Sequence, residues 1–107
     1  MGLNIYLEKI QPTIVAERGI THNVVPMAKL CNVYYAVWRG DENGIEKAED
    51  LIPLIENGID IATEKYAELV KLNPSNGWGD ADSFIAFLEH LLTDCHANPD
   101  ATLTFSR

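Results

Sequence analysis

Apolar and polar residues alternate at the start of the chain, with Leu3, Ile5 and Leu7 set against Asn4, Tyr6 and Glu8. That period is the mark of a half-buried strand. Pro12 interrupts it, and Thr13-Ile14-Val15-Ala16-Glu17 reads as a short second strand ending near Gly19. The period then lengthens: Val24, Met27, Cys31, Tyr34 and Trp38 recur at steps of 3, 4, 3 and 4, one face of a helix. Asn23 is the expected N-cap, and Pro26 falls in the first turn, where a missing N–H has no helical partner to lose.

A turn over Gly40 to Gly44 leads to a second helix, with Asp50 as its expected cap and a stripe of Ile52, Ile55, Ile59, Ala62, Tyr66 and Leu69. Asn57-Gly58 inside this stripe costs about 1 kcal/mol in helix propensity and marks a kink or close packing. The helix should stop before Asn73-Pro74, because a residue preceding proline avoids the α region. Asp80 or Asp82 then caps a third helix carrying Phe84, Leu88, Leu91 and Cys95, and Asn98-Pro99-Asp100 turns the chain. Leu103 and Phe105 alternate with Thr102 and Thr104 in a closing strand. The expected class is α+β, with three helices packed on a small antiparallel sheet formed by the N- and C-terminal strands.

Composition narrows the functional range. A chain of 107 residues, 47% hydrophobic and 22% charged, suits a single ordered domain over residues 1–107. It contains no internal repeat, and no apolar run approaches the 18 or more residues of a spanning helix. The first residues lack the basic region and long apolar stretch of a secretory signal, so a cytoplasmic location is expected. Cys31 and Cys95 each lie in a helical pattern and are expected as reduced core thiols, with a disulfide or a reactive site as the alternatives.

The net charge of −8 is unevenly placed: residues 1–40 carry +2, residues 41–64 carry −7 and residues 65–107 carry −3. Nonspecific nucleic-acid binding needs a basic footprint and is not expected. The acidic 41–64 segment is either a solvated face or a surface for a basic partner protein.

Candidate chemistry gathers at the ends of the helical patterns. Asn73-Pro74-Ser75-Asn76-Gly77-Trp78-Gly79 packs turn residues around a large aromatic. Asn76 offers polar contacts, the glycines permit close backbone approach, and Trp78 either seals the core or stacks on a ligand. His22 and Asn23 sit where a strand enters a helix, near exposed backbone N–H groups that suit an anion or polar ligand edge. Trp38-Arg39 ends the first helical stripe. Its spacing favours the core for Trp38, while Arg39 has the planar fork that pairs with phosphate or carboxylate. No catalytic residue, metal set or cofactor is expected. His22, His90, His96 and the two cysteines show no metal spacing, and no GxSxG, P-loop or GxGxxG occurs.

On Ile20-Thr21-His22-Asn23, Tyr34-Tyr35-Ala36-Val37-Trp38-Arg39 and the Asn73 to Gly79 loop, the chain resembles a family of small, largely uncharacterised proteins frequent in phage genomes and in bacteria carrying prophage. The likeness also takes in Lys47-Ala48, Asp50-Leu51-Ile52 and Ser106-Arg107. It implies a phage accessory role such as counter-defence in the host-cell cytoplasm and carries over no functional residue. The expectation is a non-enzymatic protein that uses His22, Asn23, Arg39, Asn76 and Trp78 to hold a small polar or nucleotide-like ligand. The alternatives are an acidic protein–protein inhibitor or structural accessory using the 41–64 face and binding a basic host protein, or a minor hydrolase. A homo-oligomer is compatible with each.

Overall fold

A computed structural model describes residues 2–9, 14–75, 77 and 79–107. Pro12 and Thr13, at the expected entry to the second strand, lie outside the described residues. The opening alternation forms β1 (Gly2–Glu8), in which Leu3, Ile5 and Leu7 are wholly buried. β1 is the centre of a three-stranded antiparallel sheet, with β2 (Ile14–Thr21) on one side and β3 (Thr102–Ser106) on the other. Opposed residues share a face, so Ile20, Arg18 and Ala16 line up with Leu3, Ile5 and Leu7, while Phe105 and Leu103 flank Ile5 and Leu7. This face meets the helices. A slip of one residue would bring Asn4 and Tyr6 into the core instead, so the alternation fixes the register. Arg18 on the inner face is matched by Asp94 through paired bonds of 2.6 and 3.2 Å.

The helical layer is α+β in arrangement as expected, but its first two helices divide differently. Thr21, not Asn23, caps a short 3-10 turn over His22–Val24, its side chain accepting the N–H of Asn23 at 3.3 Å. α1 follows as Val25–Leu30 only. The expected continuous helix breaks at Asn32, whose φ of 60° lies in the left-handed region that Asn tolerates. The chain resumes in a wide π-type turn, Tyr34–Trp38, and a 3-10 turn, Gly40–Glu42.

α2 runs from Ala48 to Glu64, three residues earlier than a cap at Asp50 would allow. Asp50 acts inside the first turn, where its Oδ2 accepts from the backbone N–H groups of Lys47 at 3.0 Å and Glu46 at 3.2 Å. The buried face is Leu51, Ile55, Gly58 and Ala62, with Ile52 and Ile59 only half-buried beside it. The chain breaks at Lys65 and restarts as α3 (Tyr66–Val70), so the helical phase resets. Tyr66 therefore points outward and donates to Asp82 at 2.6 Å, while Leu69 is buried. α4 (Ala81–Ala97) is capped by Asp80, which accepts from the N–H of Ser83 at 2.7 Å, and buries Phe84, Leu88, Leu91 and Cys95 as its spacing predicts. Among the described residues no helix is long and apolar enough to cross a membrane.

Gly58 is where α2 passes closest to the segment after α1. A Cβ there would run into the Val33 side chain, so the glycine inside the stripe marks close packing. Alanine would gain up to about 1 kcal/mol of helix propensity, but overpacking a filled site costs about 1–3 kcal/mol. Gly58→Ala is expected to lower the unfolding free energy in urea titration, and a variant as stable as the parent would refute the contact.

Cys31 and Cys95 are both free thiols and fully buried. Burial pushes Cys31 up to about 11, against a smaller opposing pull from Lys65, and Cys95 up to about 12, with Asp94 adding to it. Only the unfolded chain can ionise these groups near the ordinary thiol value of 9.0. It then binds fewer protons than the folded state, so stability falls as the pH climbs from about 9 towards 11–12. At pH 8 a thiol reagent should label neither cysteine in the native protein and both in denaturant, and rapid native labelling would contradict this burial.

Candidate functional site

Strand β2 runs straight into the His22–Val24 turn, which places His22 against the segment that follows α1. There the wide Tyr34–Trp38 turn directs Trp38 into the core, where it is 2% exposed. Its indole Nε1–H donates to His22 Nδ1 at 3.0 Å. That nitrogen is thus the bare acceptor of the imidazole, and a ring proton belongs on Nε2. The Tyr34 ring stacks on Trp38 at 6.3 Å with an interplanar angle of 16°, and Phe87 packs tilted on it at 6.3 Å.

With Trp38 held this way, the neighbouring residues form a cleft. Lys29 Nζ lies 5.0 Å from the Tyr34 ring centroid, and the Tyr35 ring meets Tyr34 edge-on while remaining 67% exposed. Arg39 donates from Nε to Tyr34 Oη at 3.3 Å and from Nη1 to Glu42 Oε2 at 3.0 Å. Asn43 closes the turn by donating to the carbonyls of Arg39 at 2.8 Å and Tyr35 at 3.3 Å. Lys29, Tyr34, Tyr35, Arg39, Glu42 and Asn43 line this open cleft of about 380 Å3.

Behind this wall, Arg107 donates to the Trp38 carbonyl at 2.9 Å and grips Asp41 through bonds of 2.7 and 3.1 Å. The guanidinium holds the Asp41 carboxyl below its ordinary range. Gly40 rests on the Phe105 ring, which leaves no room for a side chain there.

The loop before α4 reaches the same end of the molecule. Gly79, with φ of +85°, lies so close to Thr21 and Val24 that a Cβ would sit 2.6 and 2.8 Å from their methyl carbons. Asn73 Oδ1 accepts the N–H of Ala81 at 2.9 Å, tying the loop's start to α4. Asn76 and Trp78 lie outside the described residues. Of the five expected ligand-binding residues, Arg39 lines the cleft and His22 supports it from behind through Trp38. Asn23 is exposed on the His22 turn.

Lys29, Tyr34, Tyr35 and Asn43 were not singled out from the sequence as site residues, and neither was Arg107. The adjacent tyrosines carried a signal, since a helical turn that buries one side of Tyr34 must present Tyr35 outward.

A second cleft of about 400 Å3 lies between β2 and α4, lined by Glu17, Arg18, Gly19, Ile20, Ser83, Ala86, Phe87 and His90. Its cation Arg18 is held by Asp94 in a bidentate pair whose carboxylate is 12% exposed, whereas Arg39 shares one bond with a Glu42 carboxylate that is 55% exposed, so the Tyr35 cleft is the stronger candidate site. Among the described residues no group of three or more His, Cys, Asp or Glu side chains is placed to hold a metal ion.

No family model matches the chain, and neither does any curated protein or solved structure.

The His22–Trp38 bond can be tested directly. Removing the acceptor leaves a buried indole N–H unsatisfied, which costs about 1–3 kcal/mol. His22→Ala is expected to destabilise the chain by that order in chemical denaturation. Against a Trp38→Phe background, which has no N–H to orphan, the same change should cost clearly less, and equal costs in both backgrounds would show that the bond is immaterial.

Proposed function

We propose that this chain is a non-enzymatic binding protein that holds a small anionic, nucleotide-like ligand in the cleft of Lys29, Tyr34, Tyr35, Arg39, Glu42 and Asn43. The observation that carries the reading is the exposed Tyr35 ring standing beside two cations on a chain of net charge −8. Tyr35 meets Tyr34 edge-on yet stays 67% exposed, leaving most of the ring open, and a base stacked on such a ring is worth about 1–3 kcal/mol. Lys29 and Arg39 would take the phosphate or carboxylate, Arg39 through its planar fork. His22 and Trp38 act as the support that aims Arg39. A phage accessory role, including counter-defence, follows from the sequence resemblance and sets the biological context of this proposal.

The acidic alternative has its own support. Asp41, Glu42 and Asp50 serve internal contacts, but Glu49, Glu56, Asp60 and Glu64 are exposed on α2. At about 100° per residue they fall within about 80° of arc. Such a stripe suits a basic protein partner, and the complex would weaken steeply with salt and in Glu56→Lys/Asp60→Lys.

The cleft reading is checked by thermal shift and NMR titration with nucleoside mono-, di- and triphosphates and cyclic nucleotides. A ligand at about 100 times its Kd adds roughly 2.7 kcal/mol of stability. Tyr35→Ala and Arg39→Ala should each weaken binding about tenfold with the fold intact. A panel that shifts neither melting nor the Tyr35 resonances would eliminate the cleft as a nucleotide site.

A further inference from the structure

We infer that Glu42 is a built-in anion, occupying in the empty cleft the place on Arg39 that a ligand's phosphate or carboxylate takes, and that it moves aside onto Arg107 when the ligand binds. This inference rests on the cleft reading given above and adds how the site is kept selective.

The geometry is that of a shared carboxylate. Glu42 Oε2 lies 3.0 Å from Arg39 Nη1 and 3.5 Å from Arg107 Nη2. Arg107 is itself bonded to Asp41 and to the Trp38 carbonyl, so it stands as a second, already anchored cation beside the first. Glu42 therefore has somewhere to go that keeps its charge matched. Leaving Arg39 also costs little, because the pair is open to water, with side-chain exposures of 41% and 55%, and exposed ion pairs contribute little.

An incoming phosphate does better on two counts. It offers the guanidinium two oxygens at once, in the bidentate arrangement that a single Glu42 oxygen does not make. It also meets Lys29, the second cation lining the cleft. A neutral ligand gains neither and cannot dislodge the carboxylate. Glu42 thus sets a threshold that favours dianionic groups over neutral and singly charged ones, a repulsive element of the kind specific sites use alongside attraction.

The test titrates AMP, adenosine and inorganic phosphate into the parent chain and Glu42→Gln, following backbone and Arg side-chain NMR signals. Glutamine keeps the shape of Glu42 and removes its charge. AMP should bind about three- to fivefold more tightly to Glu42→Gln, and adenosine should gain nothing. In the parent, AMP should shift the Arg107 side-chain signals as Glu42 arrives. Tighter AMP binding in Glu42→Gln without such a shift in the parent would refute the relocation onto Arg107. AMP binding that is unchanged or weaker in Glu42→Gln would overturn this inference while leaving the cleft as the binding site, since Glu42 would then contact the ligand as an acceptor. Failure of AMP and phosphate to bind either protein would overturn the cleft reading itself.

Discussion

Much of this molecule's organisation depends on satisfying one indole N–H. Trp38 is among its largest fully buried side chains, and a polar group taken out of water without a partner is costly. The partner comes from His22, 16 positions away. For the two to meet, the end of β2 must lie against the segment after α1, which must turn widely enough to aim Trp38 inward. The π-type turn and the left-handed Asn32 supply that width. Once Trp38 is seated, Tyr34 stacks on it, Arg39 emerges at the surface and the cleft is defined. The cleft is thus the outer side of a core constraint, and the same residue that stabilises the fold orients the side chains that line it.

Charge is handled in two ways. Asp41 and Glu42, in the short turn beside the cleft, are neutralised by Arg39 and Arg107, and Asp50 holds the start of α2. The remaining acids of α2 face water as a stripe. The uneven charge of the sequence therefore resolves into a local, paired cluster beside the cleft and a solvent-facing stripe elsewhere, where Glu56 meets the His96 imidazole at 3.9 Å. That separation is why a strongly acidic chain can still place Lys29 and Arg39 together along one cleft.

Strand alternation and the α4 stripe were legible in the sequence because both are periodic and locally capped. Leu3, Ile5, Leu7, Phe84, Leu88, Leu91 and Cys95 are buried where their spacing places them. The other helices were read less well, for reasons that lie in particular residues. Asn32 interrupts a stripe whose spacing continues unbroken across it, so periodicity alone gave no sign of the break. Asp50 carries a cap's chemistry at the third helical position, where a reciprocal contact to the Lys47 N–H uses the same carboxylate. Gly58 stood out as either a kink or a close contact, and nothing local decided between them or named Val33 as its neighbour.

The candidate site divided along similar lines. Arg39 could be chosen for its chemistry and position, and His22 for its place at a strand end. That His22 would accept from Trp38, or that Arg107 would brace the cleft from 68 positions beyond Arg39, required the chain to be folded first. These contacts have no short-range signature, since they join segments that only the sheet register brings together.

The placing of β1 between a near and a remote neighbour has a kinetic meaning. β2 follows β1 after a short connection, whereas Asn4 pairs with Ser106 across almost the whole chain. The hairpin closes a short loop at small entropic cost, whereas pairing β3 closes a loop of almost the whole chain at a larger one. Without that pairing β1 carries an open edge with Leu3, Ile5 and Leu7 on one face. The Phe105 ring under Gly40 and the Arg107 grip on Asp41 come with β3 and the residue after it, so the turn that shapes the cleft owes these contacts to the closing strand. The contacts that shape the cleft therefore depend on the pairing of greatest sequence separation, and a chain that lacks its closing strand has a sheet edge in its place.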